Sequence, residues 1–437
     1  MTLGDQLPAV RSPIPAAKGQ ALVERLAASE CPALTTRRKR RAEQSGTPHD
    51  PIVWVEARGS NVVDSDGNRY VYLTSGFGVA FIGHRHPAVV SAVKRQADRL
   101  IHALGDLHPS DVKVALLERL CGLGPWPEAR AMLSLSGADA VTAALKTAVM
   151  ATGKTGVVAF EGGYHGLDYG PLSVSGYSKR FREPFEAQLP PDVQFATWPT
   201  AELGADAALR SLPDDWSAIG ALIVEPIQGR AGVRLPPPGF LEALGSLCKR
   251  HGALLIVDEI FTGVGRCGAW WRSVEQGVVP DLICTGKALG GGLPVSACIG
   301  SYEVMRAWGD PDREAIHTGT FFGDPLGAVA ALATIDVIER DGLVRQAAER
   351  GTALALTLRA AALPGVAEVR GAGMMLGLQL RGRFDALRLS RKLLERGYLV
   401  LPAGADADVI QLAPAATMTD GQLEGFAAAL SDALGET

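Results

Sequence analysis

The sequence lacks the features of secreted, membrane-spanning and nucleic-acid-binding proteins. Its first twenty residues contain no apolar segment of the kind found in a signal peptide. No apolar run approaches the roughly 18 residues that a membrane-spanning helix needs. The 43 basic and 47 acidic residues nearly cancel, so the net charge of -4 provides no broad basic surface for nucleic acid. We therefore expect a cytoplasmic protein that binds neither membranes nor nucleic acid.

Cysteine is sparse, and the sequence shows no metal-binding pattern. The six cysteines form no C-x-x-C pair, which favours reduced thiols over disulfides or a zinc site. His84 and His86 stand close together in GHRHP, but no cysteine or carboxylate spacing completes a metal site, so we expect no bound metal. The single basic run, RRKRR at 37–41, is interpreted as a solvent-exposed segment rather than as a nucleic-acid patch.

The chain is rich in glycine, with 51 residues, and in short apolar segments that alternate with helical patterns. Segments such as GVVAF, ALIVE, ALLIVD and LICT are nearly continuous apolar runs, which is typical of parallel strands covered by helices on both faces. The predicted fold class is therefore α/β. A chain of 437 residues is also long for one core. We divide it into an arm with a small antiparallel sheet that forms part of a small domain (1–75), a large α/β domain (76–325) and a C-terminal α+β domain (326–437).

Polar residues follow several of the predicted strands. Asp258 ends ALLIVD, Glu225 ends ALIVE, and Lys287 comes two residues after LICT. Ligands of open α/β sheets bind at the carboxyl ends of the strands, so these side chains are expected to meet at one edge of the sheet. Lys287 also stands shortly before three consecutive glycines, which allow the backbone to turn sharply beside a ligand.

Two interpretations of Asp258 and Lys287 compete: a buried structural ion pair, or a site for pyridoxal phosphate. This cofactor needs an amine that forms a Schiff base and a carboxylate that holds the protonated ring nitrogen. It also needs a phosphate site. The predicted helix that opens with Ser136, Gly137 and Ala138 offers free backbone N–H groups for that purpose. The combination of the three features favours the cofactor.

Seven segments carry a resemblance to a known family. They are, in chain order, GHRHPAVV, SGADAVTAALKTA, GGYHG, EPIQG, VDEIFTGVGRCG, TGKALGGGLPVSACIG and HTGTFFGDPLGAVAALA. In residue sequence and in order along the chain they resemble the motifs of class III pyridoxal-phosphate-dependent aminotransferases, across about residues 50–415. The resemblance implies the aspartate-aminotransferase fold (fold type I), with a large, mainly parallel sheet domain and a smaller α+β domain. It also implies a homodimer whose active sites lie at the subunit interface.

The resemblance implies a role for each motif residue. Lys287 would form the Schiff base with pyridoxal 5'-phosphate, and Asp258 would bind the pyridine nitrogen. Gly137 and Ala138, with Ser136 beside them, would hold the phosphate. Further contacts are implied for Tyr164 and Ile260 on the two faces of the ring, Glu225 near the ring oxygen and the substrate, and Thr320 at the phosphate of the other subunit's cofactor.

The implied activity is the transfer of an amino group from an amine or an ω- or β-amino acid donor to a keto acid or aldehyde acceptor. An intramolecular amino shift, as in the related glutamate-1-semialdehyde aminomutases, or a racemisation is the alternative with the same cofactor. A requirement for an added keto acceptor separates these possibilities. A cofactor-binding protein without turnover is disfavoured, because Lys287 and Asp258 are both present.

Four residues bear on the substrate. Gln411, in VIQLAP, stands where many family members carry an arginine that clamps the substrate carboxylate, which disfavours ordinary ornithine or 4-aminobutyrate specificity. Arg230 stands where the family often has a small or acidic residue. It either replaces the missing clamp or is a surface arginine. Phe261 replaces a polar residue after the DE motif, and together with Phe77 near the expected substrate entrance it favours a substrate with an apolar portion.

Overall fold

The computed structural model describes residues 3–200, 202–310, 312 and 314–435. By its internal contacts this part of the chain forms two compact units. One unit is Pro87–Arg345, here called the sheet unit, and the other combines the residues up to His86 with those from Gln346 onward, here called the terminal unit. Within the described ranges, none of the helices is long and apolar enough to cross a membrane.

The strands of the described chain share three sheets. In chain order they are β1 (Trp54–Arg58), β2 (Asn61–Asp64), β3 (Arg69–Tyr72), β4 (Ala129–Ser134), β5 (Gly156–Phe160), β6 (Val193–Ala196), β7 (Ile219–Val224), β8 (Leu254–Asp258), β9 (Leu282–Thr285), β10 (Ser296–Ser301), β11 (Val366–Ala372), β12 (Met375–Leu380), β13 (Tyr398–Leu399), β14 (Leu401–Ala403) and β15 (Val409–Leu412).

Helices precede, connect and follow these strands. In chain order they are α1 (Ala17–Ser29), α2 (Pro32–Ser45), α3 (Ser75–Gly78), α4 (Pro87–Arg99), α5 (Asp111–Leu123), α6 (Gly137–Thr152), α7 (Tyr169–Ser173), α8 (Lys179–Arg182), α9 (Gly204–Arg210), α10 (Phe240–His251), α11 (Arg272–Glu275), α12 (Tyr302–Met305), α13 (Pro325–Arg340), α14 (Leu343–Ala360), α15 (Asp385–Glu395) and α16 (Asp420–Gly435). Short 3₁₀ turns are formed by Glu183–Gln188, Lys287–Gly290 and Arg306–Trp308.

The sheet unit is built on a seven-stranded sheet in the order β4-β10-β9-β8-β7-β5-β6. Strands β5 to β9 run parallel, whereas β10 is antiparallel to both of its neighbours. Alternate side chains of β7 show why its sequence is apolar throughout. Ile223 packs in a cluster with Ala144 of α6, whereas Leu222 and Val224 pack in a second cluster with Leu244 of α10. Helices therefore cover both faces, and the α/β prediction is confirmed.

The topology gathers strand ends at one edge of this sheet. Because β10 is antiparallel to both β4 and β9, strand β4 runs in the same direction as the parallel strands. The carboxyl ends of β4, β5, β7, β8 and β9 consequently meet at the same edge. Asp258, the last residue of β8, pairs with Cys284 of β9, so it lies beside the strand that leads to Lys287. This edge is where the sequence places the candidate site.

The terminal unit contains two four-stranded sheets, in the orders β1-β2-β3-β13 and β11-β12-β15-β14. The turn DSDGN at residues 64–68 joins β2 to β3. It is closed by Asp64, whose carboxylate accepts hydrogen bonds from the backbone N–H groups of Asp66 and Asn68 at 3.0 and 2.8 Å. Gly67 takes the positive φ of +87° that the turn requires. A parallel pair between Tyr398 and Val71 adds β13 to the same sheet.

Some elements differ from the sequence-based description. The contact boundary follows residue 345 rather than 325, because α13 packs against α4 and α5 of the sheet unit. The edge strand β6 and the helices α2 and α16 were not predicted. The basic run lies within α2, where Arg37, Lys39 and Arg40 are exposed.

Two glycines in helices of the terminal unit provide a test of this packing. A Cβ at Gly351 of α14 would lie 1.9 Å from the carbonyl oxygen of Gly373, whereas a Cβ at Gly421 of α16 would meet nothing within 4 Å. We expect Gly351→Ala to lower the free energy of unfolding by about 1–3 kcal/mol, because the backbone must move apart. Gly421→Ala is the control and should raise it by up to about 1 kcal/mol. Chemical denaturation measures both, and equal effects of the two variants would contradict the packing.

Candidate active site

Lys287 stands at the start of a strained turn at the carboxyl edge of the sheet. It follows β9 through Gly286, opens a 3₁₀ turn and has a φ of +44°, which is uncommon for a residue with a side chain. The chain then turns through Gly291 and Gly292, with φ values of +56° and +118°. Backbone strain of this kind persists where the surroundings hold it in place, and it is concentrated at functional sites.

The surroundings of the Lys287 amine favour its neutral form. Burial lowers the pKa of Lys287, and the nearby carboxylates of Asp258 and Glu225 only partly counteract that effect. The positive charge of Arg230 lowers the pKa further. The ammonium nitrogen lies 4.5 Å from the centre of the Phe261 ring. A lysine with a lowered pKa has more of the unprotonated amine that is needed for attack on a carbonyl group.

Asp258 has a defined partner in His165. The aspartate is 5% exposed, and its Oδ2 lies 2.8 Å from Nδ1 of His165. Its Oδ1 accepts a hydrogen bond from the backbone N–H of Ile260 at 3.1 Å. No role for His165 was predicted from the sequence. The available signal was its position after β5, a parallel strand whose end lies at the same edge as Asp258.

Glu225 joins two segments that line the site. Its two carboxylate oxygens accept hydrogen bonds from the backbone N–H groups of Tyr164 and Gly229, at 2.9 and 3.0 Å. Burial raises the pKa of Glu225 to about 7. The carboxylate therefore fixes the segment after β5 to the turn after β7.

The Arg230 guanidinium contacts three aromatic rings. Its central carbon is 4.3 Å from the centre of the Tyr164 ring, 5.0 Å from that of Tyr177 and 5.3 Å from that of Phe181. The residue is partly buried. Arg230 thus contacts Tyr164 directly. Its neighbour in the chain, Gly229, is held by the Glu225 carboxylate.

The start of α6 offers an anion site. Ser136 caps this helix, and its hydroxyl accepts a hydrogen bond from the backbone N–H of Asp139 at 3.1 Å. Gly137 allows the start of the helix to pack closely on Ile260, since a Cβ there would lie 2.7 Å from Cδ1 of Ile260. Ser134 and Ser296 are paired across β4 and β10, and within the described ranges their buried hydroxyls have no hydrogen-bond partner. A helix N-terminus with unpaired hydroxyls at the adjoining strand ends suits a phosphate group.

Glu259 plays a structural part, although it adjoins Asp258. One of its oxygens accepts hydrogen bonds from the backbone N–H and the hydroxyl of Ser273, at 2.7 and 2.9 Å. The other oxygen accepts from the Thr262 hydroxyl. These bonds hold the loop that follows β8, and burial raises the pKa of Glu259 to about 7.

Three further predicted site residues belong to other elements of the chain. Thr320 is exposed in the loop before α13. Phe77 and Gln411 belong to the terminal unit. Phe77 is 63% exposed and has a φ of +61°, whereas Gln411 is buried in β15 and pairs with Gly377 of β12.

Comparison with known proteins gives a consistent result. The family model described as Aminotransferase class-III matches residues 42–434. An acetylornithine aminotransferase of Methanopyrus kandleri is 39% identical over 384 residues, which are 88% of this chain and 94% of the relative. The acetylornithine aminotransferase of Mycobacterium tuberculosis is 39% identical over 388 residues, which are 88% of this chain and 92% of the relative.

Two solved structures share the fold. An amine transaminase from an uncultivated Pseudomonas species, with pyridoxal phosphate bound, superposes with a TM-score of 0.82 at 28% identity and covers 89% of this chain and 95% of its own. An (S)-enantioselective omega-transaminase from Thermomicrobium roseum gives a TM-score of 0.81 at 28% identity, covering 88% and 93%.

The described residues fit pyridoxal phosphate. Lys287 supplies an amine with a lowered pKa, and Asp258 supplies a buried carboxylate held by His165. The start of α6 and the unpaired hydroxyls of Ser134 and Ser296 supply donors for a phosphate. Each chemical requirement of the cofactor is therefore met at one edge of the sheet.

The raised pKa of Glu225 predicts a pH effect on stability. Between its ordinary pKa of 4.5 and about 7, the folded protein binds more protons at this position than the unfolded chain, so the free energy of unfolding falls as the pH rises. Glu225→Gln removes this titration. The difference in unfolding free energy, wild type minus variant, should therefore fall by about 3 kcal/mol across this window and stay constant above it.

Chemical denaturation of the cofactor-free proteins at several pH values measures this difference. The control is Glu303→Gln, because Glu303 is a surface residue with a side chain that is 79% exposed. It should leave the pH dependence of the wild type intact. Parallel pH curves for the wild type and Glu225→Gln would show that the burial of Glu225 does not control its titration.

Proposed function

This chain belongs to the class III aminotransferase family, and we propose that it moves an amino group from an amine or an ω- or β-amino acid donor to a keto acid or aldehyde acceptor. Its cofactor is pyridoxal 5'-phosphate. The observation that carries the proposal is the Lys287 amine, whose pKa is lowered by burial beside the carboxylates of Asp258 and Glu225. That amine is chemically suited both to hold the cofactor covalently and to move a proton.

We assign the central step to Lys287. When bound, the cofactor withdraws electrons from the carbon that carries the donor's amino group, and this makes the proton on that carbon acidic. The lowered pKa of Lys287 increases the fraction of the amine that has a free electron pair, and this pair would accept the proton and later return it. The Phe261 ring, 4.5 Å from this nitrogen, excludes water from one side of it.

Asp258 is assigned to the pyridine nitrogen. Its carboxylate would keep that nitrogen protonated, which strengthens the withdrawal of electrons. His165, 2.8 Å from Oδ2, orients the carboxylate and is a positioning residue. The backbone N–H of Ile260 holds the other oxygen. These two contacts keep Asp258 in one orientation at the end of β8.

The other cofactor contacts are assigned by motif. Gly137 and Ala138 at the start of α6, with Ser136 as its cap, would hold the phosphate. Tyr164 and Ile260 would contact the two faces of the ring. Thr320 stays assigned to the phosphate of the other subunit's cofactor, and Glu225 to the ring oxygen side.

The relatives and the pocket residues bear on the donor. Two of the relatives described above are named acetylornithine aminotransferases, and the solved structures are named as amine and omega-transaminases. Gln411 cannot supply the positive charge of an arginine clamp. Phe261 lies against the Lys287 amine. With Phe77 assigned to the entrance, we propose a donor that combines an amine with an apolar portion.

An aminomutase or racemase would use the same cofactor. The two kinds of enzyme differ in whether a second substrate is needed. Purified enzyme loaded with cofactor and mixed with one amino donor should complete a single half-reaction and stop. Addition of a keto acid should restore turnover. Continuous isomerisation or racemisation of the donor without an acceptor would favour the alternative.

Replacement of Lys287 tests the proposed function directly. Lys287→Ala should reduce turnover by at least about 1,000-fold and abolish the absorbance band of the covalently held cofactor, because both functions depend on its amine. Absorbance spectra recorded with a panel of amines and amino acids measure both effects. Lys154→Ala removes a half-buried lysine that binds the carbonyl groups of Trp216 and His251, and it is the control that should keep the band. Near-normal transamination by Lys287→Ala would refute the assignment.

We also propose a homodimer. The stretch from Ile101 to Leu107 exposes three large apolar side chains, with Ile101, Leu104 and Leu107 exposed by 61, 57 and 72%. Phe321, which is 56% exposed, lies next to it, since its ring centre is 5.3 Å from that of His102. An exposed apolar surface of this kind is typical of an interface. The loop that contains Phe321 also contains Thr320, which is assigned to the phosphate of the other subunit's cofactor and so must lie near the interface.

The dimer has its own test. Leu107→Glu should convert the dimer to a monomer, because it places a charge in the apolar contact. Size-exclusion chromatography with light scattering measures the mass. Leu356→Glu alters an apolar side chain that is 57% exposed on α14 and is the control that should stay dimeric. A monomeric wild type, or a dimeric Leu107→Glu, would oppose the proposal.

A cytoplasmic location is proposed on the evidence of the thiols. In the part of the chain that the structure describes, the six cysteines are thiols rather than disulfides, and those at positions 248, 267, 284 and 298 are buried. Buried thiols are compatible with a reducing compartment, where they need no oxidation to stabilise the fold.

A further inference from the structure

Arg230 projects from a turn with a fixed backbone. Gln228 and Arg234 exchange backbone hydrogen bonds of 3.0 and 3.1 Å at the two ends of this turn. The N–H of Gly229 is bound by the Glu225 carboxylate, and Val233 is held with a φ of +55°. The position of the Arg230 backbone is thus defined by several bonds on both sides.

The rings around Arg230 support one another as well as the guanidinium. Tyr177 stacks on Phe181 at 5.9 Å between ring centres, and it meets Tyr164 edge-on at 6.4 Å. Tyr164 is in turn held through its backbone N–H by Glu225. Contact of a guanidinium with an aromatic face is attractive and orders the long side chain.

The hydrogen-bond donors of Arg230 are unused. Among the residues that the structure describes, this guanidinium forms no ion pair and donates no hydrogen bond. A guanidinium carries its five N–H donors in one plane, and the contacts with the rings provide no oxygen or nitrogen acceptor for them. Because the Arg230 guanidinium is held by aromatic rings and is not neutralised by a described residue, it is suited to bind an anion.

The nearby carboxylates are occupied elsewhere. Glu225 accepts hydrogen bonds from Tyr164 and Gly229, and Asp258 lies against His165. Arg230 is also close enough to Lys287 for its charge to lower the pKa of that amine. The positive charge of Arg230 is therefore within electrostatic range of the Lys287 amine.

We propose that Arg230 binds the carboxylate of the substrate, so that amino acids and keto acids, rather than simple amines and aldehydes, are the preferred substrate class. This inference rests on the proposed transamination. A guanidinium presents two parallel N–H groups to a carboxylate, and this geometry both holds and orients it. Gln411, which is neutral, does not compete for that role. The rings of Tyr177 and Phe181 then contact the part of the substrate next to its carboxylate.

Pairs of substrates that differ by one carboxylate provide the experiment. Alanine with ethylamine, and 4-aminobutyrate with propylamine, are mixed with the enzyme loaded with cofactor, and the half-reactions are followed by absorbance. For Arg230→Gln, the ratio of kcat/KM for the acid to that for its matched amine should fall by about 10- to 100-fold, which is the range for a lost hydrogen bond to a charged group. Arg230→Lys keeps the positive charge but lacks the two parallel N–H donors of the guanidinium, so it should give an intermediate ratio of kcat/KM.

Arg130→Gln is the matched control. Arg130 also lies over an aromatic ring, at 4.7 Å from the centre of Tyr302, but that ring is not one of the three that surround Arg230. Arg130→Gln should leave the acid-to-amine ratio of kcat/KM at the wild-type value. Thermal unfolding of all variants shows whether they fold. An unchanged ratio in a folded Arg230→Gln would overturn the inference.

Binding of propionate separates this inference from the proposed function. The dissociation constant of propionate, measured by its effect on cofactor absorbance, should rise by about 10- to 100-fold in Arg230→Gln. If the wild type converts none of the amines or amino acids, the proposed transamination fails, but propionate still tests Arg230. Equal affinity of the wild type and Arg230→Gln for propionate would then refute carboxylate binding by this residue.

Discussion

The removal of an amine and a carboxylate from water at one edge of a sheet constrains the rest of the site. A buried charge is costly unless it has a partner or becomes neutral, and the structure uses both solutions. Asp258 has His165 at 2.8 Å, whereas the pKa of Lys287 is lowered by burial. Because Asp258 ends one parallel strand and Lys287 follows the next, the sheet register sets their separation. The order of the parallel strands therefore determines that the Lys287 amine lies near the Asp258 carboxylate.

Glu225 connects the segment that carries Tyr164 to the turn that carries Arg230, the residue proposed to bind the substrate. It follows the strand next to Asp258, and its carboxylate binds the backbones of Tyr164 and Gly229. Tyr164 is proposed to contact the cofactor ring, and Gly229 directly precedes Arg230. A single buried side chain thus fixes the aromatic face and the guanidinium relative to each other. Its raised pKa is the consequence of that buried position.

The sequence predicted the strands of the sheet unit well because burial on both faces makes them continuous apolar runs. The segments GVVAF and LICT coincide with β5 and β9. Strand β6 was missed because it is short, and only Ala196 in it is fully buried. Lys287 and Asp258 could be proposed as site residues because strand ends can be located from local patterns. The contact of His165 with Asp258 joins residues 93 positions apart, which periodicity does not report.

The same limit explains why the two interpretations of Arg230 stayed open at the level of sequence. The rings around it come from three places, the segment after β5, Tyr177, and Phe181 in α8, and only the fold brings them to one guanidinium. Lys287 and Asp258 sit on strand ends that the sheet holds, whereas Arg230 sits on a turn. If Arg230 binds the substrate as proposed, a change in that turn would alter which acid is bound while the sheet keeps Lys287 and Asp258 in register. In the proposed arrangement the chemistry depends on the sheet, and the substrate class depends on the turn.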